Sequence, residues 1–221
     1  MGRLSFAHAK PTKPPLGPGR NPLGLSEERD AILYVPSSVD VSRPVPLMVF
    51  FHGAGGSAEK VLPFIEEHAE RLGFIVLAPQ SQHPTWDLVI GGNGPDLERL
   101  EQALAIVADH FPLDPKRLAF TGFSDGASYA LSIGITNGDI ATHVIAFSGG
   151  FMSIFMQEGA PKVLIAHGTR DEQLPIDSSG RANAAKLKEA GYSVQFVEFD
   201  GLHIIHPPIV ELAVFFFLSP V

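Results

Sequence analysis

The most constraining feature of this chain is an alternation. Short runs of β-branched and aromatic residues recur at Ala31 to Val35, Leu47 to Phe51, Phe74 to Leu77, Leu118 to Thr121, His143 to Phe147, Val163 to His167 and Val194 to Phe199. Between them lie helix-length stretches with 3.6-type periodicity: Ala58 to Leu72, Leu97 to His110, Asp125 to Ile135, Gly180 to Ala190 and Ile209 to Leu218. Several of the runs are nearly continuous, as expected of strands covered on both faces, and strand-then-helix repetition builds a mostly parallel sheet with helices on both sides. The expected fold class is α/β, doubly wound. Working groups in such sheets gather at the carboxyl ends of strands, so the functional residues are expected there.

Composition narrows the possibilities further. A length of 221 residues suits one domain. With no cysteine, disulfide staples, thiol catalysis and Cys-ligated zinc are excluded. Sixteen Lys+Arg against 24 Asp+Glu give a net charge of -8, which argues against binding nucleic-acid phosphates. Apolar residues make up 45% and charged residues 18%, so a disordered chain is equally unsuitable.

Charge is unevenly divided, since Arg3, Lys10, Lys13 and Arg20 all precede the first acid, Glu27. Residues 1–26 read as a Pro/Gly-rich arm lying over the surface, and residues 27–221 as the folded domain. The arm lacks the apolar run of a signal peptide, so a cytoplasmic protein is expected, with a processed secreted form as the alternative. Ile209 to Leu218 is too short to span a bilayer and is interrupted by Glu211; a buried C-terminal helix is expected there, and no membrane span.

Four segments carry chemistry. Gly122-Phe123-Ser124-Asp125-Gly126 follows a strand and opens a small-residue helix through Ala127 and Ala130. A serine lifted on such a turn needs Gly two places before and after it, because side chains there would collide with strand and helix. The helix N-terminus also sets amides and a positive dipole end beside the hydroxyl. Phe50-Phe51-His52-Gly53-Ala54-Gly55-Gly56 ends an earlier strand, and its glycines leave amides free to face a developing oxyanion. The expected donors are the amides of Ala54 and Asp125, with His52 structural.

Val163 to Pro175 pairs a buried strand with a polar loop, His167-Gly168-Thr169-Arg170-Asp171-Glu172. An acid at this strand end is placed to orient a histidine. Asp171 is the first choice and Glu172 and Asp177 are its rivals, Asp177 reading better as a helix N-cap. In the order nucleophile, acid, histidine the base comes last, which leaves His203 and His206. His203 follows a short glycine loop and is the preferred base; His206 precedes a proline pair and reads as supporting or structural.

Taken together, FFHGAGGS, LDPKRLAFTGFSDGASYAL, HGTRDEQLP and GLHIIHP resemble the Ser-Asp-His α/β-hydrolase superfamily. Within it the chain is similar to small lidless carboxylesterases, both the phospholipase/carboxylesterase group and the polyhydroxybutyrate-depolymerase-like and feruloyl-esterase-like proteins. The match covers about residues 28 to 218. The resemblance implies Ser124 as nucleophile, Asp171 as orienting acid, His203 as general base and acid, and the Ala54 and Asp125 amides as oxyanion donors. It implies hydrolysis of a small-molecule ester through an acyl-enzyme. No cofactor is called for, since nucleophile, base and oxyanion donors are all protein groups. Asp125 after the serine is a departure, at a position where other hydrolases carry varied residues, and its carboxylate is expected to discourage anionic acyl groups.

Loop lengths suggest the pocket. Ser148 to Pro161 is too short for a cap domain, so the site should be open. Its apolar side chains Phe151, Met152, Ile154, Phe155 and Met156 read equally well as an acyl-binding wall or as a cover for the sheet edge. Pro79 to Pro95 holds the only tryptophan, Trp86, with Gly91, Gly92 and Gly94; Trp86 lines the site or anchors the core. Phe215, Phe216 and Phe217 are assigned to packing. The competing functions are a non-catalytic ligand-binding member of the same fold and, among enzymes, a thioesterase, peptidase or acyltransferase.

Overall fold

A computed structural model describes residues 2–91 and 94–219; Gly92, named above in the long loop, lies outside the described residues. The apolar runs become strands β2 (Ile32–Val35), β3 (Val45–Phe51), β4 (Ile75–Ala78), β5 (Leu113–Phe123), β6 (His143–Phe147), β7 (Lys162–Gly168) and β8 (Val194–Phe199). A further strand, β1 (Gly19–Pro22), comes from the arm and pairs antiparallel with β2. Its four residues include a glycine and a proline, so it carries no strand signal of its own, and it sits at the sheet edge where a proline is tolerated.

One eight-stranded sheet results, in the order β1-β2-β4-β3-β5-β6-β7-β8. From β4 through β8 every pairing is parallel. The chain runs outward from β3 to β4, then returns to place β5 on the other side of β3. That reversal opens a crevice at the carboxyl ends of β3 and β5.

Side chains alternate across the sheet. Leu47, Val49, Phe51, Leu118 and Phe120 face one core with α3 (Pro95–His110), whose Leu100, Ala103, Leu104 and Val107 recur at helical spacing. Met48, Phe50, Val76 and Ala119 face the opposite core with α6 (Pro207–Leu218), which buries Ile209, Val210, Ala213, Val214 and Phe217. A third cluster joins α4 (Asp125–Thr136) and α5 (Ala182–Glu189) through Ala127, Leu131, Ala184 and Leu187.

The stretch expected as one helix over 58–72 is divided into α1 (Ala58–Val61), a 3-10 turn over Leu62–Phe64 and α2 (Glu66–Leu72). Pro63 has no amide to give an α-helix and forces the break. The three phenylalanines of α6 also divide: Phe217 is buried, whereas Phe215 is half exposed beneath the Arg71 guanidinium, 6.0 Å from its ring centre. Asp177 is not a cap. It opens a π-helical turn, Asp177–Arg181, and its carboxylate accepts from Arg181 at 2.7 Å.

The arm is tied to the domain at several points. Asn137 accepts from the Leu4 amide and donates to the Gly2 carbonyl, and Arg3 forms paired bonds to Asp139. Among the described residues, no helix is long and apolar enough to cross a membrane.

Candidate active site

Ser124 stands between β5 and α4 with φ 55° and ψ -121°, a backbone conformation side chains rarely adopt. Both flanking glycines are compelled by contact. A Cβ at residue 122 would lie 2.1 Å from the Gly126 carbonyl oxygen, and one at residue 126 would lie 2.2 Å from that of Phe51. The turn is therefore pressed against the end of β3, which brings Ser124 beside the Gly53 turn.

The hydroxyl of Ser124 donates to His203 Nε2 at 2.8 Å, and His203 Nδ1 donates to Asp171 Oδ2 at 2.7 Å. The His203 side chain is 8% exposed and that of Asp171 fully buried, so water hardly competes for these bonds. Phe123 packs on the His203 ring, centroids 4.9 Å apart. The other oxygen of Asp171 accepts from the Gln173 and Leu174 amides at 3.0 and 2.8 Å. Burial pushes the Asp171 carboxyl up, but the Leu174 amide and the imidazoles of His203 and His167 outweigh it, and the net shift is downward. Glu172 is exposed and Asp177 is bound to Arg181, so neither rival reaches the histidine.

In the turn after β3, the Gly55 amide is committed to the Pro84 carbonyl and the Gly56 amide to that of Gly53, leaving the Ala54 N–H unpaired among the described residues. Asp125 is the first residue of α4, so its amide has no partner within the helix. These are the two donors expected from the sequence. The Asp125 carboxylate accepts from the Thr85 hydroxyl at 2.6 Å, an anchor no local signal announces, since the two positions are 40 residues apart.

His52 is held beneath this turn. Its Nδ1 donates to the Gly53 carbonyl at 2.8 Å, and its Nε2 accepts from the Gln80 amide, the Ser81 amide and the Ser81 hydroxyl. Burial pushes this imidazole down to about 4. A ring with both nitrogens so committed carries no proton to a substrate.

The residues expected to form the pocket do not converge. Trp86 is 1% exposed, stacked on Tyr129 with centroids 4.9 Å apart, and its indole N–H donates to the His52 carbonyl at 2.8 Å. It anchors the core beneath the turn. The segment after β6 runs along α4: the Gly150 and Phe151 amides donate to Ser128, the Ser153 amide to Ser132 and the Glu158 amide to the Ile135 carbonyl. Phe151 thus stays near the serine end of α4. Met152 packs on the third core, and the Phe155 ring lies against Gly2 and faces Thr136 at the far end of the helix. Twelve residues of helix separate that end from Ser124, so Phe155 is remote from the site.

A depression of about 190 Å³ does adjoin the site, bounded by Gly53, Ala54, Val61, Phe64, Phe123 and Ile205 with Lys60 at its edge. Two of its apolar walls come from the broken helix, α1 and the 3-10 turn, and sequence reading missed them because the break re-aims their side chains.

The strand order is that of the α/β-hydrolase fold, with a serine, a histidine and an acid at the ends of β5, β8 and β7. No family model matches the chain. Among curated proteins it is similar to an acetylxylan esterase of Coprinopsis cinerea, 29% identical over 143 residues, 60% of this chain and 35% of that one. It is also similar to feruloyl esterase C of Emericella nidulans, 24% identical over 208 residues, 79% of this chain and 76% of that one. The chain thus spans about a third of the first relative's length. Solved structures of like fold include esterase PE8, with TM-score 0.69, 21% identity and coverage of 86% of this chain and 99% of that one. The ferulic acid esterase AmCE1/Fae1A of Anaeromyces mucronatus has TM-score 0.66 and 16% identity, with 98% of each chain covered. By fold the chain is an α/β-hydrolase, and between β6 and β7 the described residues hold no cap domain.

Proposed function

We propose that this protein is a serine carboxylesterase that hydrolyses small to medium carboxylic esters through an acyl-enzyme. The observation that carries the reading is the unbroken series of hydrogen bonds from Ser124 through His203 to Asp171 beside a turn whose Ala54 amide is uncommitted. Ser124 Oγ attacks the ester carbonyl while His203 Nε2 takes its proton, and Asp171 stabilises the imidazolium that forms. The carbonyl oxygen, now negative, accepts from the Ala54 and Asp125 amides. His203 then protonates the departing alkoxide, and water enters by the same steps in reverse order to release the acid.

The depression beside Ala54 supports an apolar group of modest size on the substrate, with Val61, Phe64, Phe123 and Ile205 as walls. Since the curated relatives are named for acetylxylan and feruloyl esters, acetyl and feruloyl esters are the first substrates to try. Thr85 draws the Asp125 carboxylate into a hydrogen bond, which reduces the bar to anionic acyl groups expected from sequence.

Replacing Ser124 with Ala is expected to abolish turnover of a short-chain nitrophenyl ester and labelling by a fluorophosphonate. Unchanged hydrolysis would overturn the assignment. Fluorophosphonate bound elsewhere than Ser124 in the native chain would overturn it as well.

A further inference from the structure

Behind Asp171 lies a second histidine that the proposed reaction does not use. His167, next to last in β7, is completely buried. Its Nε2 is 2.8 Å from the Leu174 carbonyl oxygen and 3.2 Å from Asp171 Oδ2, the same oxygen that receives His203. Both neighbours only accept hydrogen bonds, so Nε2 carries the proton; it is given to the Leu174 carbonyl, and Asp171 Oδ2 lies against the positive edge of the same N–H as a close electrostatic contact. Nδ1 has no partner and is packed against Gly180, where an added Cβ would lie 2.8 Å away. A proton on Nδ1 would be buried without an acceptor, so of the two tautomers the surroundings fit Nε2–H.

We propose that His167 is a positioning residue of the esterase centre, acting through Asp171: its Nε2–H fixes the rotation of the carboxylate and withdraws part of the negative charge presented to His203. The inference rests on the esterase reading given above. Leu174 completes the clamp, since its amide binds one oxygen of Asp171 and its carbonyl holds the ring that lies 3.2 Å from the other. Other charges nearby are already paired or face solvent. Glu198, opposite His167 on β8, is bound to Arg181; Arg170 is bound to Asp200; Asp125 is bound by Thr85; and Glu172 is exposed.

The test compares His167→Met, which fills the volume without a donor, with His167→Gln, whose side-chain amide keeps one near Nε2. His167→Met is expected to lower kcat about tenfold at little change in KM, as a polar group set against a buried charge is lost. Relieved of a donor, Asp171 holds the imidazolium of His203 more tightly, so the acid limb of the kcat/KM profile moves to higher pH. In the absence of substrate, the His203 Nδ1–H proton resonance moves further downfield. His167→Gln is expected to restore most of each effect. A His167→Met enzyme with the native profile and resonance would overturn the proposal. Equal loss of activity in both variants, in step with thermal stability and with no pH shift, would do the same. The native chain provides a test without any variant: long-range proton–nitrogen correlation should find the Nε2–H tautomer at His167, and an Nδ1–H tautomer refutes the inference. The two magnetic-resonance readouts need no substrate. They separate failure here from failure of the esterase reading, which fluorophosphonate labelling of Ser124 decides.

Discussion

At the scale of residues, the site is built by contacts that leave no tolerance. The clearest case is Gly126, where a methyl group would stand 2.2 and 2.4 Å from two carbonyl oxygens at the end of β3. Neither backbone atom can yield without pulling the Gly53 turn away from Ser124. Gly126→Ala is expected to cost several kcal/mol in a urea unfolding curve and to remove ester hydrolysis. Gly55→Ala is the contrast, because its φ is 65° but nothing lies within 4 Å of the new atom. A loss of about 1 kcal/mol is expected, with activity largely kept. Asp171→Asn tests the proposed acid by the same kind of reasoning. The Gln173 and Leu174 amides hold one oxygen, so the new amide group must face His203 and His167, both donors. His203 is forced to carry its proton on Nε2 and can no longer accept from Ser124. A fall of about 10⁴ in kcat with an unchanged circular dichroism spectrum is expected; activity within tenfold of native would rule Asp171 out.

At the scale of elements, α4 has two faces with different work. Its first residue faces the candidate active site, and its Ser128, Ser132 and Thr136, at helical repeat, form a row of buried hydroxyls along which the segment after β6 is laid. Ser132 donates to the Ser128 carbonyl at 2.7 Å and accepts from the Ser153 amide at 2.8 Å. Ser132→Ala leaves that amide without its partner, and a loss of about 1–3 kcal/mol is expected. The segment should also become cleavable by chymotrypsin at its exposed Phe151 and Phe155; resistance equal to native would show that the row does not hold it. This seam explains what sequence reading could and could not see. The strands, the helices and the Ser124 turn declare themselves through period and local motif, and the order of motifs pointed to Asp171 and His203. The path of residues 149–158 is set by hydroxyls on another element, and Trp86 is placed by Tyr129 and His52; neither relation leaves a local trace. His167 and Thr85 escaped notice for the same reason, since their significance lies in a partner brought near by folding.

At the scale of the whole molecule, two imidazoles buried in the domain set its response to acid. His52 is 1% exposed, and burial lowers it to about 4. His143, at the start of β6, is fully buried against the edges of Phe216 and Phe217, and burial again lowers it to about 4. In the unfolded chain both rings take up a proton near 6.5. Between these values the unfolded state binds more protons than the folded one, so stability is full above pH 6.5 and drains away as pH falls toward 4. Each ring accounts for a loss on the order of 3 kcal/mol, a large share of the roughly 5–15 kcal/mol by which a domain is held together. Asp96, raised by its own burial, acts in the opposite sense: it favours the folded state on the acid side and offsets a fraction of the loss. Asp139, lowered by its bond to Arg3 from an ordinary value of 3.8, gives up its contribution mainly below this window. The urea midpoint is therefore expected to fall steeply between pH 6.5 and 4.5 and to be nearly flat from 7 to 8. His143→Phe keeps the aromatic packing and removes one of the two titrations, so its decline over the same interval should be about half as steep. A native midpoint that is the same at pH 7.5 and 4.5 would show that these rings accept protons without unfolding the sheet around them.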